Sequence, residues 1–326
     1  MKIRKLLIFV FVMLFTLQGI AGDTNTLKKE KKQLAYIVSD SRIPFWNIMS
    51  RGIKSKAQEL GYEVQVYSAN NLMKTELENT IKSIKSKVDG IIVSPISSST
   101  AATILKLSSD ANIPVVISDI GTDSGDYISY ISSDNFQGAY ELGKVLTKKI
   151  QEMQLKHASV GIVAIPQKRD NGKLRTSGFM KALNEAGIKS SGLRQQVDFS
   201  YKETYDHSLA LIKGDSNLRA LWLQGSNRYQ GALDAIADVG KKGEILLVCF
   251  DAEPEFMELI PQGILVGAAM QQPFLMGEKA VEVMDKHLNN KSVEKNIHLP
   301  ILAVSTQNIV KNKTIIKRNV LGVDKN

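Results

Sequence analysis

Residues 88–95 read VDGIIVSP, in which a short apolar run, Gly90–Val93, ends in the turn residues Ser94 and Pro95. A run of this kind, without polar alternation, is typical of a strand buried on both faces of a parallel sheet. Apolar residues at helical spacing precede it: Leu77, Ile81, Ile84 and Val88. A further apolar run, Val115–Ser118, comes next. This stretch therefore predicts the alternation of strands and helices that builds βαβ units.

The same alternation extends in both directions along the chain. Nine runs rich in Val, Ile and Leu are predicted as strands: Leu34–Val38, Glu63–Tyr67, Gly90–Val93, Val115–Ser118, Val160–Ile165, Leu193–Val197, Ala220–Leu223, Ile245–Phe250 and Val266–Met270. Amphipathic segments with apolar residues at helical spacing lie between them. Strands that alternate with helices indicate parallel sheets and the α/β class.

The number of strands predicts two sheets. Nine strands would make one very wide sheet, whereas two sheets of five or six strands have ordinary dimensions. We expect the break near residues 132–135, because an irregular stretch rich in Gly, Ser and Asp, residues 121–126, leads there into a new helix. The predicted architecture is therefore two doubly wound parallel-sheet lobes.

The N-terminus has the pattern of an export signal. Three basic residues in the first five precede a 12-residue apolar run, Leu6–Leu17, and small residues follow. We expect a signal peptide of residues 1–21, a flexible leader of residues 22–33, and a periplasmic mature protein. An uncleaved anchor is the alternative, although the run is short for a bilayer span. The only Cys is Cys249, so a lipoprotein anchor is not expected.

Charge and composition exclude several classes of function. Removing residues 1–21 lowers the net charge from +9 to +6, and the remaining basic residues form no stripe with interleaved aromatics. Nucleic acid is therefore not an expected partner. A lone Cys and four scattered His residues argue against an internal disulfide or a zinc cluster. No metal and no cofactor are expected.

Polar residues follow many of the predicted strands. Ligands of open parallel sheets bind beyond the carboxyl ends of the strands. The residues found there include Ser39, Asp40, Ser94, Asp119, Gln167, Asp198, Gln224, Ser226, Asp251 and Gln271. Each alone could instead cap the helix that follows. Taken together, they predict a cleft lined with hydrogen-bonding side chains.

Binding is favoured over catalysis at this cleft. The sequence has no Gly-x-Ser-x-Gly elbow, no His-Glu-x-x-His, no phosphate-binding loop and no Gly-x-Gly-x-x-Gly after the first strand. Asp119 and Asp251 could act as an acid pair. Carboxylates that accept hydrogens from ligand hydroxyls or amines need the same placement without any reaction. The protein is therefore not expected to be an enzyme.

Taken in order, these motifs resemble the periplasmic sugar-binding proteins of the ribose-binding type, over roughly residues 34–309. The matching motifs are Ile43-Pro44-Phe45-Trp46, Leu60-Gly61-Tyr62, Asp89–Pro95, Asn112–Val116, Ser133-Asp134-Asn135, Arg175 ahead of Gly178-Phe179, Phe250-Asp251 and Gln271-Gln272-Pro273. The resemblance implies the type I periplasmic binding protein fold, with a multi-strand hinge. Its N-terminal lobe would hold residues 34–133 plus 272–300. Its C-terminal lobe would hold residues 134–271 plus 301–310, followed by a tail of residues 311–326.

The resemblance also implies a set of ligand-binding residues, to which the strand-end pattern adds Asp40. In the first lobe, the family's aromatic clamp falls on Phe45 and Trp46, and its acceptor falls on Asp119. In the second lobe, the cross-lobe Arg falls on Arg175, the aromatic on Phe199 and the Asp on Asp251. The hinge amide falls on Gln271. Phe45 and Trp46 could instead be core residues at a helix start. Arg175 could be an ordinary exposed helical residue.

Three departures from the family pattern bear on the ligand. The family's Arg after the first-lobe Asp is Ile120 here, and its amide before the Pro-aromatic pair is Ile43. Gly225-Ser226, with Asn227 displaced, stands where a second-lobe Asn is usual. Fewer donors than in a common sugar site indicate a partly apolar ligand that is cationic or amine-bearing, or an unusual sugar.

The resemblance implies a monomeric receptor that closes around a small polar ligand. An ABC-type permease of the inner membrane would be its partner. The alternative partner is the ectodomain of a sensor histidine kinase or a chemoreceptor, and the departures from the sugar site favour this alternative slightly. Two further classes are an enzyme that uses the same cleft and a transcriptional repressor core. The repressor would need a DNA-binding helix-turn-helix before residue 34, where the export signal stands.

Overall fold

The computed structural model describes residues 32–167 and 169–323. The predicted signal peptide lies outside the described residues, as does the predicted leader up to residue 31. Two six-stranded sheets, one in each lobe, confirm the prediction of two doubly wound α/β lobes. Elements are numbered along the chain.

The N-terminal lobe has an entirely parallel sheet. Its strands are β1 (Gln33–Val38), β2 (Glu63–Ser68), β3 (Gly90–Ser94), β4 (Val115–Ser118), β5 (Ser129–Ser133) and β11 (Asn296–Leu299). They lie in the order β2-β1-β3-β4-β5-β11. Its helices are α1 (Pro44–Glu59), α2 (Met73–Lys85), α3 (Ser98–Asp110) and α9 (Pro273–Leu288). Alternate residues of β1 enter the hydrophobic clusters on opposite faces of the sheet, Tyr36 on one and Ile37 on the other.

The C-terminal lobe repeats this order with one change of direction. Its strands are β6 (Ser159–Ala164), β7 (Lys189–Gln195), β8 (Leu218–Leu223), β9 (Leu246–Phe250), β10 (Gly267–Met270) and β12 (Leu302–Ser305). They lie in the order β7-β6-β8-β9-β10-β12, and β12 is antiparallel to β10. Its helices are α4 (Asn135–Glu152), α5 (Asp170–Glu185), α6 (Tyr201–Gly214), α7 (Tyr229–Asp238), α8 (Phe256–Leu259) and α10 (Ile309–Ile315).

The chain passes between the lobes three times, at β5–α4, at β10–α9 and at β11–β12. At two of these crossings the chain enters a helix that packs against the helix following the first strand of that lobe, α9 against α1 and α4 against α5. Glycine allows this close packing. A Cβ on Gly52 would lie 2.1 Å from the carbonyl oxygen of Phe274, and one on Gly178 would lie 2.1 Å from that of Phe136.

The segment assigned to a tail, residues 311–326, is ordered into helix as far as Val320. It continues α10 and then forms a π-helical turn, Ile316–Val320, whose apolar residues are buried in the core of the C-terminal lobe. Arg51 of α1 donates hydrogen bonds to the carbonyl oxygens of Leu321 and Gly322, at 2.7 and 2.8 Å. The segment therefore contacts both lobes. Its apolar side chains pack in the core of the C-terminal lobe, and its carbonyl oxygens accept hydrogen bonds from Arg51 of the N-terminal lobe.

Candidate functional site

A cavity lies between the two lobes, at the carboxyl ends of their strands. Its lining comes from both lobes: Ile43, Pro44, Phe45, Trp46, Asn71, Asp119 and Ile120 from the first, and Ile165, Arg169, Asn171, Arg175, Phe199, Gly225, Ser226, Asn227, Asp251, Glu253 and Gln271 from the second and the hinge. Seven of the eight predicted site residues are brought together here: Phe45, Trp46, Asp119, Arg175, Phe199, Asp251 and Gln271.

Asp119 and Asp251 occupy equivalent positions in the two lobes. Asp119 follows β4 and Asp251 follows β9, which are the fourth strands of their lobes in chain order. Both have left-handed backbone conformations, with φ values of 74° and 69°. Positive φ is uncommon outside glycine, and such residues concentrate at functional sites. The fold thus presents one carboxylate to the cavity from each lobe.

The first-lobe carboxylate is held by an aromatic residue. Trp46 Nε1 donates a hydrogen bond to Asp119 Oδ2 at 3.1 Å, while the indole belongs to the hydrophobic cluster around β1. Trp46 is therefore both a core residue and an anchor for Asp119. Burial raises the pKa of Asp119 to about 6, and Asp251 also raises it, whereas Arg175 and the bond from Trp46 lower it.

Arg175 is a buried cation and not an exposed helical residue, since only 3% of it is accessible. Its Nε donates to Asn135 Oδ1 at 2.8 Å, and its Nη1 donates to the carbonyl oxygen of Gln224 at 2.6 Å. The guanidinium stacks over the Phe250 ring, 3.8 Å from the centroid, and its Nη1 lies 3.8 Å from Asp251 Oδ2. Burial lowers its pKa, while Asp251 and Asp119 oppose that shift.

Asp251 is positioned by the hinge. Gln271 Nε2 donates to Asp251 Oδ1 at 2.5 Å. Burial raises the pKa of Asp251, and the charge of Arg175 and the bond from Gln271 act against the rise. Gln271 Oε1 is buried and has no hydrogen-bond partner among the described residues. Asp251 and Gln271 together therefore offer oxygen acceptors to whatever the cavity holds.

Asp40 is the predicted site residue that does not line the cavity. Its carboxylate accepts hydrogen bonds from Arg42 Nε at 2.8 Å and Arg42 Nη2 at 2.6 Å. This pairing, with the Arg42 hydrogen bonds as the largest cause, lowers the pKa of Asp40. Asp40 therefore belongs to the turn between β1 and α1, where a cation two residues away occupies its oxygens.

Two charged lining residues were absent from the predicted set, Arg169 and Glu253. Arg169 lies five residues beyond the end of β6, and its Nη2 donates to the carbonyl oxygen of Ile96 in the other lobe at 3.2 Å. Its guanidinium carbon lies 6.0 Å from the centroid of the Phe199 ring. The cavity thus has a second guanidinium despite Ile120. Both residues lie in the loops after β6 and β9, and no local pattern in the sequence marks their side chains as lining the cavity.

Glu253 lies in the loop after β9. Its Oε1 accepts a hydrogen bond from the Ser226 hydroxyl at 2.8 Å. Burial raises the pKa of Glu253 to about 7, Asp251 and Glu255 add to the rise, and the Ser226 bond opposes it. Within residues 32–167 and 169–323, no cluster of three or more His, Cys, Asp or Glu side chains could hold a metal ion. The carboxyl, amide and guanidinium groups that line the cavity can form hydrogen bonds with a polar molecule.

A model of the family described as the periplasmic binding protein domain matches residues 34–292. The chain belongs to this family. The expected resemblance to its ribose-binding type is confirmed by the sequence relatives. The ribose import binding protein RbsB of Salmonella typhimurium is 27% identical over 290 residues, which are 89% of this chain and 96% of the relative.

Solved structures share the fold of this periplasmic binding protein. An ABC transporter periplasmic solute-binding protein from Actinobacillus succinogenes, with bound D-allose, superposes with a TM-score of 0.79 at 22% identity, over 86% of this chain and 100% of that chain. A carbohydrate transporter solute-binding protein from Agrobacterium radiobacter, in complex with D-arabinose, superposes with a TM-score of 0.80 at 19% identity, over 90% of this chain and 99% of that chain. In the part of the chain that the structure describes, no helix is long and apolar enough to span a membrane.

Proposed function

We propose that this protein is an exported receptor that closes around a sugar-sized polar ligand and presents it to an ABC-type permease of the inner membrane. The observation that carries the proposal is the cavity between the lobes, with one strand-end carboxylate from each lobe, the buried guanidinium group of Arg175 and the partly exposed one of Arg169. Carboxylates accept hydrogens from hydroxyl groups and guanidinium groups donate to their oxygens, so a polyhydroxylated ligand can satisfy both kinds of group.

The proposed residue roles follow from the contacts. Asp119 and Asp251 accept ligand hydrogens from opposite sides, and Arg175 donates while it holds Asp251 in place. Phe45 and Phe199 supply apolar faces, and Gln271 offers an acceptor at the hinge. Trp46 fixes Asp119 and contributes its ring edge to the cavity.

Closure follows from the placement of these groups on two bodies joined by three crossings. A ligand that bonds both lobes binds the closed form more tightly than the open form, and this difference in affinity drives closure. The hydrogen bond from Arg169 to the carbonyl oxygen of Ile96 joins the two lobes in this structure. Closure therefore creates a surface composed of both lobes, which a membrane partner can recognise.

The permease is supported by the names of the relatives, which include a ribose import protein and ABC transporter binding proteins. Periplasmic location is supported by the relatives and by the export signal at the N-terminus. The relatives are binding proteins for ribose and other sugars, which supports binding without turnover.

A thermal-shift screen of the mature chain, residues 22–326, against pentoses, hexoses, polyols, amino acids and nucleosides tests the proposal. A ligand at 100 times its Kd adds about 2.7 kcal/mol of stability, which is a clear shift. We expect a hit among the sugars, 1:1 binding by calorimetry, and recovery of the sugar unchanged. Hits confined to amino acids or nucleosides, or chemical conversion of the sugar, would contradict it. Co-purification with a kinase ectodomain, and not with a permease, would assign the alternative sensing role.

A further inference from the structure

The charged groups of the cavity do not balance. Three carboxyl groups line it, those of Asp119, Asp251 and Glu253, against two guanidinium groups, those of Arg169 and Arg175. All the other described lining residues are neutral. A buried charge without an opposite partner is costly, so one carboxylate needs a positive charge from elsewhere or must hold a proton.

The contacts show which carboxyl group is left over. Asp251 has Arg175 3.8 Å away and a bond from Gln271. Burial raises the pKa of Asp119, but the charges of Arg175 and Arg169 and the hydrogen bond from Trp46 all act against that rise. Glu253 has the neutral Ser226 hydroxyl on Oε1 as its side-chain hydrogen bond among the described residues.

The cations around Glu253 do not remove this excess. Arg228 is the cation that lowers the pKa of Glu253, but its side chain is exposed and its effect is weaker than those of burial, Ser226, Asp251 and Glu255. Asp251 and Glu255 both disfavour its charge. Glu253 therefore retains a carboxylate oxygen, Oε2, that is not engaged by another described group.

A second acceptor on the same lining points to the same kind of ligand. Gln271 is 2% exposed, and its Oε1 has no hydrogen-bond partner within the described part of the chain, while its Nε2 donates to Asp251. An unpaired buried acceptor is destabilising until a donor reaches it. The free acceptors of the cavity thus call for a ligand rich in donors, and the charge excess calls for a positive one.

We propose that the receptor selects ligands with a protonated amine, such as amino sugars or related amino polyols, and that Glu253 is the carboxylate that binds the ammonium group. This inference rests on the proposed receptor function and names its substrate class. An ammonium donates three hydrogen bonds and supplies the missing positive charge. A hydroxyl at the same place would donate one bond and leave the charge excess unchanged.

Calorimetry with matched pairs of ligands tests the inference. The probes are D-glucosamine, D-galactosamine and D-mannosamine, each beside its parent hexose, with 3-amino-3-deoxy- and 6-amino-6-deoxy-D-glucose to vary the position of the amine. For at least one pair we expect the amine to bind about 10 times more tightly than the neutral sugar, as a charge-assisted bond in a buried site should. In Glu253→Gln this advantage should fall to less than about threefold, because an amide keeps the shape and loses the charge.

A control variant separates this effect from general surface charge. Glu255→Gln removes a carboxylate two residues away on an exposed side chain, and its amine preference should match the wild type. The neutral sugars should bind Glu255→Gln within about threefold of the wild-type protein, and circular dichroism with thermal melting shows whether both variants fold.

The pH dependence gives a second readout. The pKa of Glu253 is about 7 before ligand binds, chiefly because of burial. Asp251 and Glu255 raise this pKa and Arg228 lowers it. The neutral side chains of Tyr229 and Cys249 lie nearby. Between pH 7.5 and 6.0 the ionised fraction of such a carboxyl falls about eightfold, so the affinity for the ammonium form, corrected for the protonation of the free amine at each pH, should fall by about that factor. The affinity of the parent hexose at each pH corrects for the titration of the other groups in the cavity. In Glu253→Gln, the amine and its parent hexose should show the same pH dependence.

Two results would overturn the inference, and they can be told apart. If neutral sugars bind as tightly as their amines, or if the amine preference survives in Glu253→Gln, the assignment of Glu253 is wrong and the receptor function stands. If both members of every pair and the wider sugar screen fail to bind, the proposed sugar-receptor function fails and takes this inference with it.

Discussion

The two lobes share a plan but supply different chemistry to the cavity. Strand order, the glycine at the first helix pair and the left-handed Asp after the fourth strand are the same in both. The first lobe surrounds its Asp with apolar groups, among them Trp46 and Ile120, whereas the second lobe provides Arg169, Arg175 and a second acid, Glu253. The repeated features therefore form the scaffold, and recognition resides in the residues that differ.

The largest expected effect on ligand affinity comes from removing the second-lobe acid, Asp251. In Asp251→Ala, Arg175 loses its partner and the ligand loses an acceptor, so affinity for the tightest-binding sugar should fall by about 2–5 kcal/mol. The backbone conformation should be kept, whereas the melting temperature should fall, because Arg175 stays buried without its carboxylate partner. Calorimetry and circular dichroism measure both. Wild-type affinity in this variant would remove Asp251 from the site.

The first-lobe acid should make stability depend on pH. The pKa of Asp119 is about 6 in the folded protein and about 4 in an unfolded chain, so the folded state holds the proton more tightly. The contribution of Asp119 to the free energy of unfolding therefore falls by about 3 kcal/mol as the pH rises from about 4 to 6. Above pH 6 the contribution stays low. Urea unfolding of ligand-free wild type and Asp119→Asn measures the difference. A constant difference across pH 4–7 would contradict the assignment.

A smaller effect on stability tests whether glycine allows close helix packing in both lobes. Gly52→Ala and Gly178→Ala each place a methyl group 2.1 Å from a carbonyl oxygen, so each should lower the free energy of unfolding by about 1–3 kcal/mol or more. Gly214→Ala is the control, since its Cβ would meet nothing within 4 Å. If one of the two variants is as stable as the control, the equivalence of the two helix pairs fails.

The smallest effect concerns the anchor of Asp119. Trp46→Phe keeps an aromatic ring in the core and removes the donor to Asp119 Oδ2. Affinity for the sugar should fall by about 1 kcal/mol at pH 7, because one hydrogen bond to a charged acceptor is lost. The loss should grow toward pH 6, since the pKa of Asp119 rises without this bond. An affinity loss that does not vary with pH would assign Trp46 to packing alone.

The sequence predicted the buried parts of the fold well. Central strands such as β1, β3 and β9 carry apolar runs because both faces are covered, and they lie within about one residue of their predicted bounds. The edge strand β7 begins at Lys189, earlier than the predicted Leu193, because its residues are polar and partly exposed. The strands β5, β11 and β12 were missed since they are short, with polar residues, and depend on pairing with distant partners.

The site was predictable where the position depends on a strand end. Asp119, Asp251 and Gln271 follow their strands directly, so the topology alone brings them to the cavity. Arg169 and Glu253 lie farther along their loops, and their placement depends on contacts with Ile96 and Ser226 that no local pattern reveals. Asp40 was assigned from its strand end alone, although Arg42 was near enough to bind it.

Closure around a ligand is the central claim, and a distance across the mouth of the cleft tests it most directly. Met73 and Val197 are exposed and line one opening, from the first and second lobes respectively. Cysteines at these positions accept spin labels selectively because Cys249 is buried. Double electron–electron resonance should give a shorter and narrower distance distribution when the tightest-binding sugar saturates the protein. An unchanged distribution, with binding confirmed by calorimetry on the same labelled protein, would contradict closure.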